Sequence, residues 1–147
     1  MIKLRETKIN ELDIIYKIGI QEHSKPFLST KTTTDYKQEF LDNKTTYLCI
    51  VNESDTILGY IILLKKENKN SIQLKRILIS KKSLGIGQEA LTALEKYCID
   101  TMNIKHIWLD VYEDNYKAIH IYEKFNYLLF KVNIQDNRKI LYYDKSL

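Results

Sequence analysis

Gly85 and Gly87 stand one residue apart in a chain that has only 4 glycines among 147 residues. They fall between an apolar, strand-like run ending at Ile79 and a long stretch of helical period. A helix N-terminus offers unpaired N–H groups and a partial positive charge, and glycine lets the backbone come close to a ligand. Lys82 adds a full charge just upstream, so the joint suits a diphosphate. A tight turn with close helix packing is the other use of such a glycine pair. A Walker loop is excluded, because nothing after Gly87 matches its Lys-Ser/Thr end. A dinucleotide fingerprint would need a third glycine where Ala90 stands. Asp110 is roughly placed for its ribose acid, yet three successive strands before the crossover speak against that fold. No His/Cys spacing suits zinc, so no metal is expected. Cys49 and Cys98 sit in apolar segments and read as small buried hydrophobes rather than nucleophiles or a disulfide pair. His106 and His120 read as structural or solvent-facing, and Trp108 as packing.

The elements that must position this joint follow from hydrophobic period. Asn10 can cap a helix whose apolar face carries Ile14, Ile15 and Ile18; Thr34 starts a second, with Tyr36, Phe40 and Leu41. "TYLCIV" (Thr46 to Val51) and "ILGYIILL" (Ile57 to Leu64), joined by "NESD", predict an antiparallel hairpin. "SIQLKRILIS" predicts a third strand with an irregularity. Ile72 and Leu74 alternate in one phase and Ile77 and Ile79 in the other, as they would if a bulge near Lys75 and Arg76 inserted one residue.

From Ile86 the period is helical, with Ala90, Leu91, Leu94, Cys98 and Met102 on one face. "HIWLDVY" alternates again, so strand, helix and strand form a right-handed parallel crossover. "NYKAIHIYEKFN" predicts a short helix with Ala118, Ile119, Tyr122 and Phe125 inward. A hairpin around "QDN" ends the chain. The expected architecture is a single α/β domain over residues 1–147, a mixed sheet with one crossover.

Composition narrows the function classes. A hydrophobic share of 44% and a charged share of 29% are those of a globular protein. Neither a membrane span nor a secretory leader is expected, and the cysteine usage favours an intracellular, cytoplasmic setting. The net charge of +4 is uneven. Lys65, Lys66, Lys69, Lys75, Arg76, Lys81 and Lys82 face a single acid, Glu67, within one stretch. That stretch is either a solvated face or an attraction for a nucleic acid or a phosphorylated cofactor. Without an aromatic-interleaved basic stripe or a recognition helix, nucleic acid ranks last.

In this order and spacing the residues resemble the GNAT superfamily of acetyl-CoA-dependent N-acetyltransferases. That family's cofactor motif, [Q/R]-x-x-G-x-[G/A] after a bulged strand, is matched by Lys82-Ser83-Leu84-Gly85-Ile86-Gly87. Its N-x-x-A and Y-E-K-x-G-F are matched by Asn115, Ala118 and "YEKFNY". The likeness runs from about Ile57 to Phe130 and looks closest to the branch of ribosomal-protein N-terminal and amino-sugar acetyltransferases. Three departures stand out. Lys82 replaces Arg or Gln and lacks arginine's planar fork. Asn126 replaces a helix-ending glycine, for which asparagine is the next best residue. Gln73 stands where many relatives carry a basic glutamate.

The resemblance implies a GNAT-like, mostly antiparallel sheet with a bulged central strand and flanking helices. Acetyl-CoA would be the acetyl donor, lying where the bulged strand and "HIWLDVY" splay apart. Backbone groups of Ile77, Leu78 and Ile79 would hold its pantetheine, and N–H groups from Leu84 through Gly85, Ile86 and Gly87 to Gln88 its diphosphate. A backbone N–H freed by the bulge would face the thioester oxygen. Asn115 would bind near the thiol. Tyr122 would be general acid to the leaving thiolate; a core aromatic is its other use. The acid is needed little, since a thiol has a pKa of about 8.5, whereas deprotonating an amine of pKa near 10 at pH 7 costs about 4 kcal/mol. Glu22, Asp110 and Glu113 are candidate bases, and His23 borders the acceptor region. The implied reaction is direct attack of a primary amine, on a small molecule or a peptide N-terminus. A non-catalytic acetyl-CoA sensor or scaffold is the alternative. The oligomeric state stays open, a homodimer included.

Overall fold

The computed structural model describes residues 1–21, 32–66, 70–83 and 85–147. Among these residues seven strands make one sheet: β1 (Lys3–Glu6), β2 (Thr45–Val51), β3 (Ile57–Lys65), β4 (Ser71–Ile79), β5 (His106–Tyr112), β6 (Leu128–Gln135) and β7 (Arg138–Ser146). Their spatial order is β1-β2-β3-β4-β5-β7-β6, and only β4 and β5 pair in parallel. Four α-helices among the described residues flank them: α1 (Leu12–Gly19), α2 (Thr33–Leu41), α3 (Gly87–Asp100) and α4 (Tyr116–Lys124). This is the expected mixed, mostly antiparallel sheet with one parallel crossover. Strand β1 was not expected from the sequence, because "KLRE" carries three charges and one apolar residue.

The long apolar runs of β2 and β3 come from burial on both faces. Leu48, Ile50, Ile61 and Leu63 face Ala90, Leu91, Leu94 and Cys98 of α3, and α4 packs against this same cluster. Tyr47, Cys49, Val51, Tyr60 and Ile62 face the other way, onto Leu12, Ile15 and Ile18 of α1 and Tyr36 of α2.

Two expectations about the N-terminal helices need correcting. Asn10 caps nothing; it lies in a 3₁₀ turn, Ile9–Glu11, entered where the Lys8 N–H donates to the Glu11 carboxylate at 2.8 Å. The inward row of α1 is Leu12, Ile15 and Ile18, and Ile14 is 44% exposed, because it sits about 100° around the helix from Ile15. In α2, Thr32 rather than Thr34 supplies the start: its Oγ1 accepts from the Asp35 N–H at 3.1 Å, and Asp35 accepts from the Thr32 N–H at 2.8 Å. Tyr36 and Phe40 turn inward, whereas Leu41 at the frayed end is 64% exposed.

The bulge is at Lys75. Ile62 pairs with Arg76 and Leu63 with Leu74, so Lys75 has no partner in the ladder. The slip puts Ile72, Leu74, Ile77 and Ile79 on one face, toward α3, and turns Arg76 and Leu78 toward the α1/α2 side.

Candidate active site

Strands β4 and β5 pair only through Ser71–His106, Ile72–Ile107 and Gln73–Trp108. From Leu74 to Leu78 that ladder is not formed, and a cleft opens between the strands beside the bulge. A bulge bends and over-twists its strand, which is why the parting begins here. On its other side β4 stays held by β3, with Ile61–Ile77, Tyr60–Leu78 and Gly59–Ile79 in register. Gly59 permits that close approach, since a Cβ there would run into the Leu78 carbonyl. The closed end is tied by side chains: Ser71 Oγ lies 2.6 Å from His106 Nδ1, and His106 Nε2 lies 2.9 Å from Asp144 Oδ2. A carboxylate oxygen accepts, so His106 donates from Nε2 to Asp144, and the Ser71 hydroxyl bonds to the other ring nitrogen.

At the far lip of the cleft the chain makes a 3₁₀ turn, Lys81–Ser83, and passes Gly85 at a φ of 100°, which favours glycine. α3 then starts at Gly87 with no side-chain cap from Ile86. Its first N–H groups need an acceptor from outside the helix. A Cβ on Gly87 would meet nothing within 4 Å, so the space above these donors is open. Lys124 of α4 reaches this point, with Nζ 3.2 Å from Gln88 Oε1. Uncapped donors, open space and the nearby cations Lys82 and Lys124 fit a diphosphate. Leu84 lies outside the described residues, and Ile86 packs its side chain on the α3 core. Lys124 was missed in the sequence, though it sits in "YEKFNY" one helical turn from the inward Ile121.

Tyr122 packs on the α3 side, tilted against Tyr127 at 5.7 Å between centroids. Burial, and then the charge of Asp110, push its hydroxyl up to about 12, so it is a proton donor across the neutral range. Asp110 stands on the opposite face of β5, beside Tyr142 of β7. Asp110 is exposed on the strand, yet partial desolvation by its surroundings raises its carboxyl above the ordinary range, offset in part by Lys66. Among the described residues Asp110 makes no ion pair. Asn115 has a structural task as well, since Oδ1 caps α4 by accepting from the Ala118 N–H at 3.4 Å. Its amide N–H groups remain available as donors.

The remaining candidates separate. Gln73 is 8% exposed, and its amide does not titrate, so it cannot serve as a base. Glu113 pairs with Lys139 at 3.7 Å. Glu22 and His23 lie outside the described residues. Burial pushes the Cys98 thiol up to about 12, which suits a core residue. Trp108 does pack, but on the α1/α2 side of the sheet beyond the strands those helices cover, stacked on Tyr142 at 6.3 Å. The basic stretch does not act as one patch. Lys75 pairs with Glu39 at 2.6 Å, Lys66 lies 5.0 Å over the Trp108 ring, and Arg76 turns inward; Glu67 and Lys69 are outside the described residues. Among the described residues no three His, Cys, Asp or Glu side chains gather to hold a metal ion.

The family model described as the acetyltransferase (GNAT) family matches residues 12–127. No curated protein sequence matches significantly. The fold is similar to spermidine N-acetyltransferase from Vibrio cholerae solved with CoA and spermine. That similarity has a TM-score of 0.84 at 15% identity, covering 99% of this chain and 95% of the other. It is also similar to aminoglycoside acetyltransferase AAC(6')-Ib solved with coenzyme A and kanamycin, with a TM-score of 0.83 at 15% identity and the same 99% and 95% coverage.

Proposed function

The chain belongs to the acetyltransferase (GNAT) family, and we propose that it is a single N-acetyltransferase domain moving the acetyl group of acetyl-CoA to a primary amine by direct attack within a ternary complex. The observation that carries this reading is the parting of β4 from β5 at the Lys75 bulge, with the uncapped start of α3 at its lip. Acetyl-CoA supplies an acetyl thioester and a thiolate leaving group. Backbone groups of Ile77, Leu78 and Ile79 would hold the pantetheine as an added strand is held. N–H groups of Gly85, Ile86, Gly87 and Gln88, with Lys82 and Lys124, would hold the diphosphate, and the Asn115 amide would donate near the thiol.

Asp110 is the base in this reading. Its raised carboxyl, free of any ion pair among the described residues, accepts the proton of an incoming ammonium more readily than an ordinary aspartate. Tyr122, held protonated, donates to the departing sulfur. A cytoplasmic setting goes with this donor. The likeness of the C-terminal motifs to ribosomal-protein N-terminal and amino-sugar acetyltransferases supports an acceptor of either of those kinds. The multi-amine molecules bound in the two similar structures support a small one. Gln73 in place of a glutamate favours the second reading, a non-catalytic acetyl-CoA sensor.

Calorimetric titration with acetyl-CoA tests the site. Micromolar binding that Gly87→Trp abolishes, followed by thiol release with an amine, is the expected result. Binding without thiol release from any amine would leave the sensor, and no binding by the folded protein would overturn both readings.

A further inference from the structure

Arg76 follows the bulge directly and leaves the sheet on the α1/α2 side, opposite the face that carries α3. Its half-buried guanidinium donates from Nη1 to the Tyr36 hydroxyl at 3.1 Å, with the Tyr60 hydroxyl as second neighbour. Burial raises the Tyr60 hydroxyl above its ordinary range, so it supplies no anion near neutrality. The nearby carboxylate, Glu39, accepts from the Tyr47 hydroxyl at 2.6 Å and from Lys75 Nζ at 2.6 Å. Among the described residues Arg76 makes no ion pair. The chain's two other arginines each do: Arg5 holds Glu11 at 2.8 Å and Asp55 at 2.8 Å, and Arg138 holds Asp114 at 3.1 Å. A guanidinium taken partly out of water without a counter-ion is costly, and its planar fork of donors matches a carboxylate.

The placement says what the missing counter-ion belongs to. Gln73 and Trp108 pair across the closed end of the cleft and point to the same side as Arg76. Asp110, two residues beyond Trp108, stands on that side too. Arg76 and Asp110 thus stand on the two strands that part. The guanidinium meets the Tyr36 and Tyr60 hydroxyls with Glu39 only a nearby charge, and the Asp110 carboxylate has Lys66 nearby, but neither makes an ion pair among the described residues. The diphosphate seat at the start of α3 lies on the opposite face, so Arg76 does not serve it.

We infer that Arg76 receives a carboxylate carried by the acceptor, so that the acceptor is an amine bearing a carboxylate, its ammonium on Asp110 and its carboxylate on Arg76. This rests on the N-acetyltransferase reading and sets the acceptor apart from spermine and kanamycin, neither of which has a carboxylate.

Thiol release is measured at saturating acetyl-CoA with matched amines: 4-aminobutyrate beside butylamine, phenylalanine beside phenethylamine, lysine beside cadaverine. The carboxylate member of at least one pair should win by about tenfold or more in kcat/KM, as a charge-assisted bidentate contact gives. Arg76→Met should erase that ratio through KM and leave acetyl-CoA binding unchanged, with Arg76→Lys keeping part of it. A ratio near one in the wild type for every pair, or one that survives Arg76→Met, overturns the inference. The Arg76 side-chain NMR resonance, followed in the wild type with the same amines, reads the contact without turnover or a variant. A shift with the carboxylate members alone supports the inference even if no thiol is released, in which case only the transferase reading fails. A resonance unmoved by all of them overturns it.

Discussion

The two halves of the sheet use the same apolar residues under different cover. β2 and β3 are roofed on both sides, by α3 on one and by α1 and α2 on the other, and Leu48 to Val51 and Tyr60 to Leu63 are buried throughout. Among the described residues, β5 and β7 are roofed on one side only. On the other, Trp108 stacks on Tyr142, and Lys131 and Arg138 lie 5.0 Å and 3.6 Å over the Tyr142 and Tyr112 rings. β6, at the sheet edge, is exposed along its whole length. Stability is concentrated where burial is double, because hydrophobic stabilisation scales with the apolar area removed from water. The groups available for chemistry gather where the second layer ends: Arg76 on the last doubly covered strand, Asp110 on the first singly covered one.

The sharpest way to break this contrast is to cut one side chain in each half. Ile61→Ala should cost about 3–4 kcal/mol in equilibrium denaturation, as buried isoleucine truncations do. Phe130→Ala, at a residue 52% exposed, should cost under about 1 kcal/mol. Equal losses would mean that the open half is covered in solution. At the joint, Tyr122→Phe should lower kcat by about 100-fold, equivalent to about 2.7 kcal/mol, while acetyl-CoA affinity and melting temperature hold. A loss of melting temperature without a specific loss of kcat would return Tyr122 to the core.

Acid titration separates the halves by sign. Arg5 and the Lys8 N–H hold the Glu11 carboxyl down to about 2 from 4.5. Its stabilisation is full above 4.5 and is lost as pH falls toward 2. It amounts to about 2–3 kcal/mol, and Glu11→Gln should remove that share of the pH dependence over the window. Asp110 is opposite. Its folded carboxyl is raised from 3.8, so ionisation works against the fold as pH rises through that shifted value. Asp110→Asn should therefore melt no lower than the wild type at pH 7 while losing activity. A lower melting point would show that Asp110 has a structural partner in solution. The smallest expected effect is at the closed end of the cleft, where Ser71→Ala should cost about 1 kcal/mol, the worth of one hydrogen bond, by denaturation.

Much of this architecture was legible along the chain. The phase slip from Ile72 and Leu74 to Ile77 and Ile79 located the bulge within a residue, since strand side chains alternate strictly and only an inserted residue resets them. The turn glycines, the asparagine ending α4 at a φ of 69° and the inward row of α4 were also readable, because local backbone conformation and period decide them. β1 escaped because pairing on one side of a sheet edge needs no apolar alternation. In the first helix Ile15 and Ile18 were read correctly, but the cap was misplaced and Ile14 stood in for Leu12, because the entry is set by the Glu11 carboxylate on Lys8, a contact to which the preference for asparagine caps is blind.

By itself, then, the sequence determined the order and type of most elements, the place of the bulge and the glycine turn that leads into α3, all properties of neighbours in the chain. Tertiary structure alone decided which charges would be answered. In sequence Arg76 is one cation of a basic stretch and Asp110 one acid of an alternating strand. Only the fold takes Lys75 away to Glu39, turns Arg76 inward onto the Tyr36 hydroxyl and sets Asp110 on the neighbouring strand. The cost of a charge depends on its distance from water and from its counter-ion, and both distances are set by residues remote in the chain.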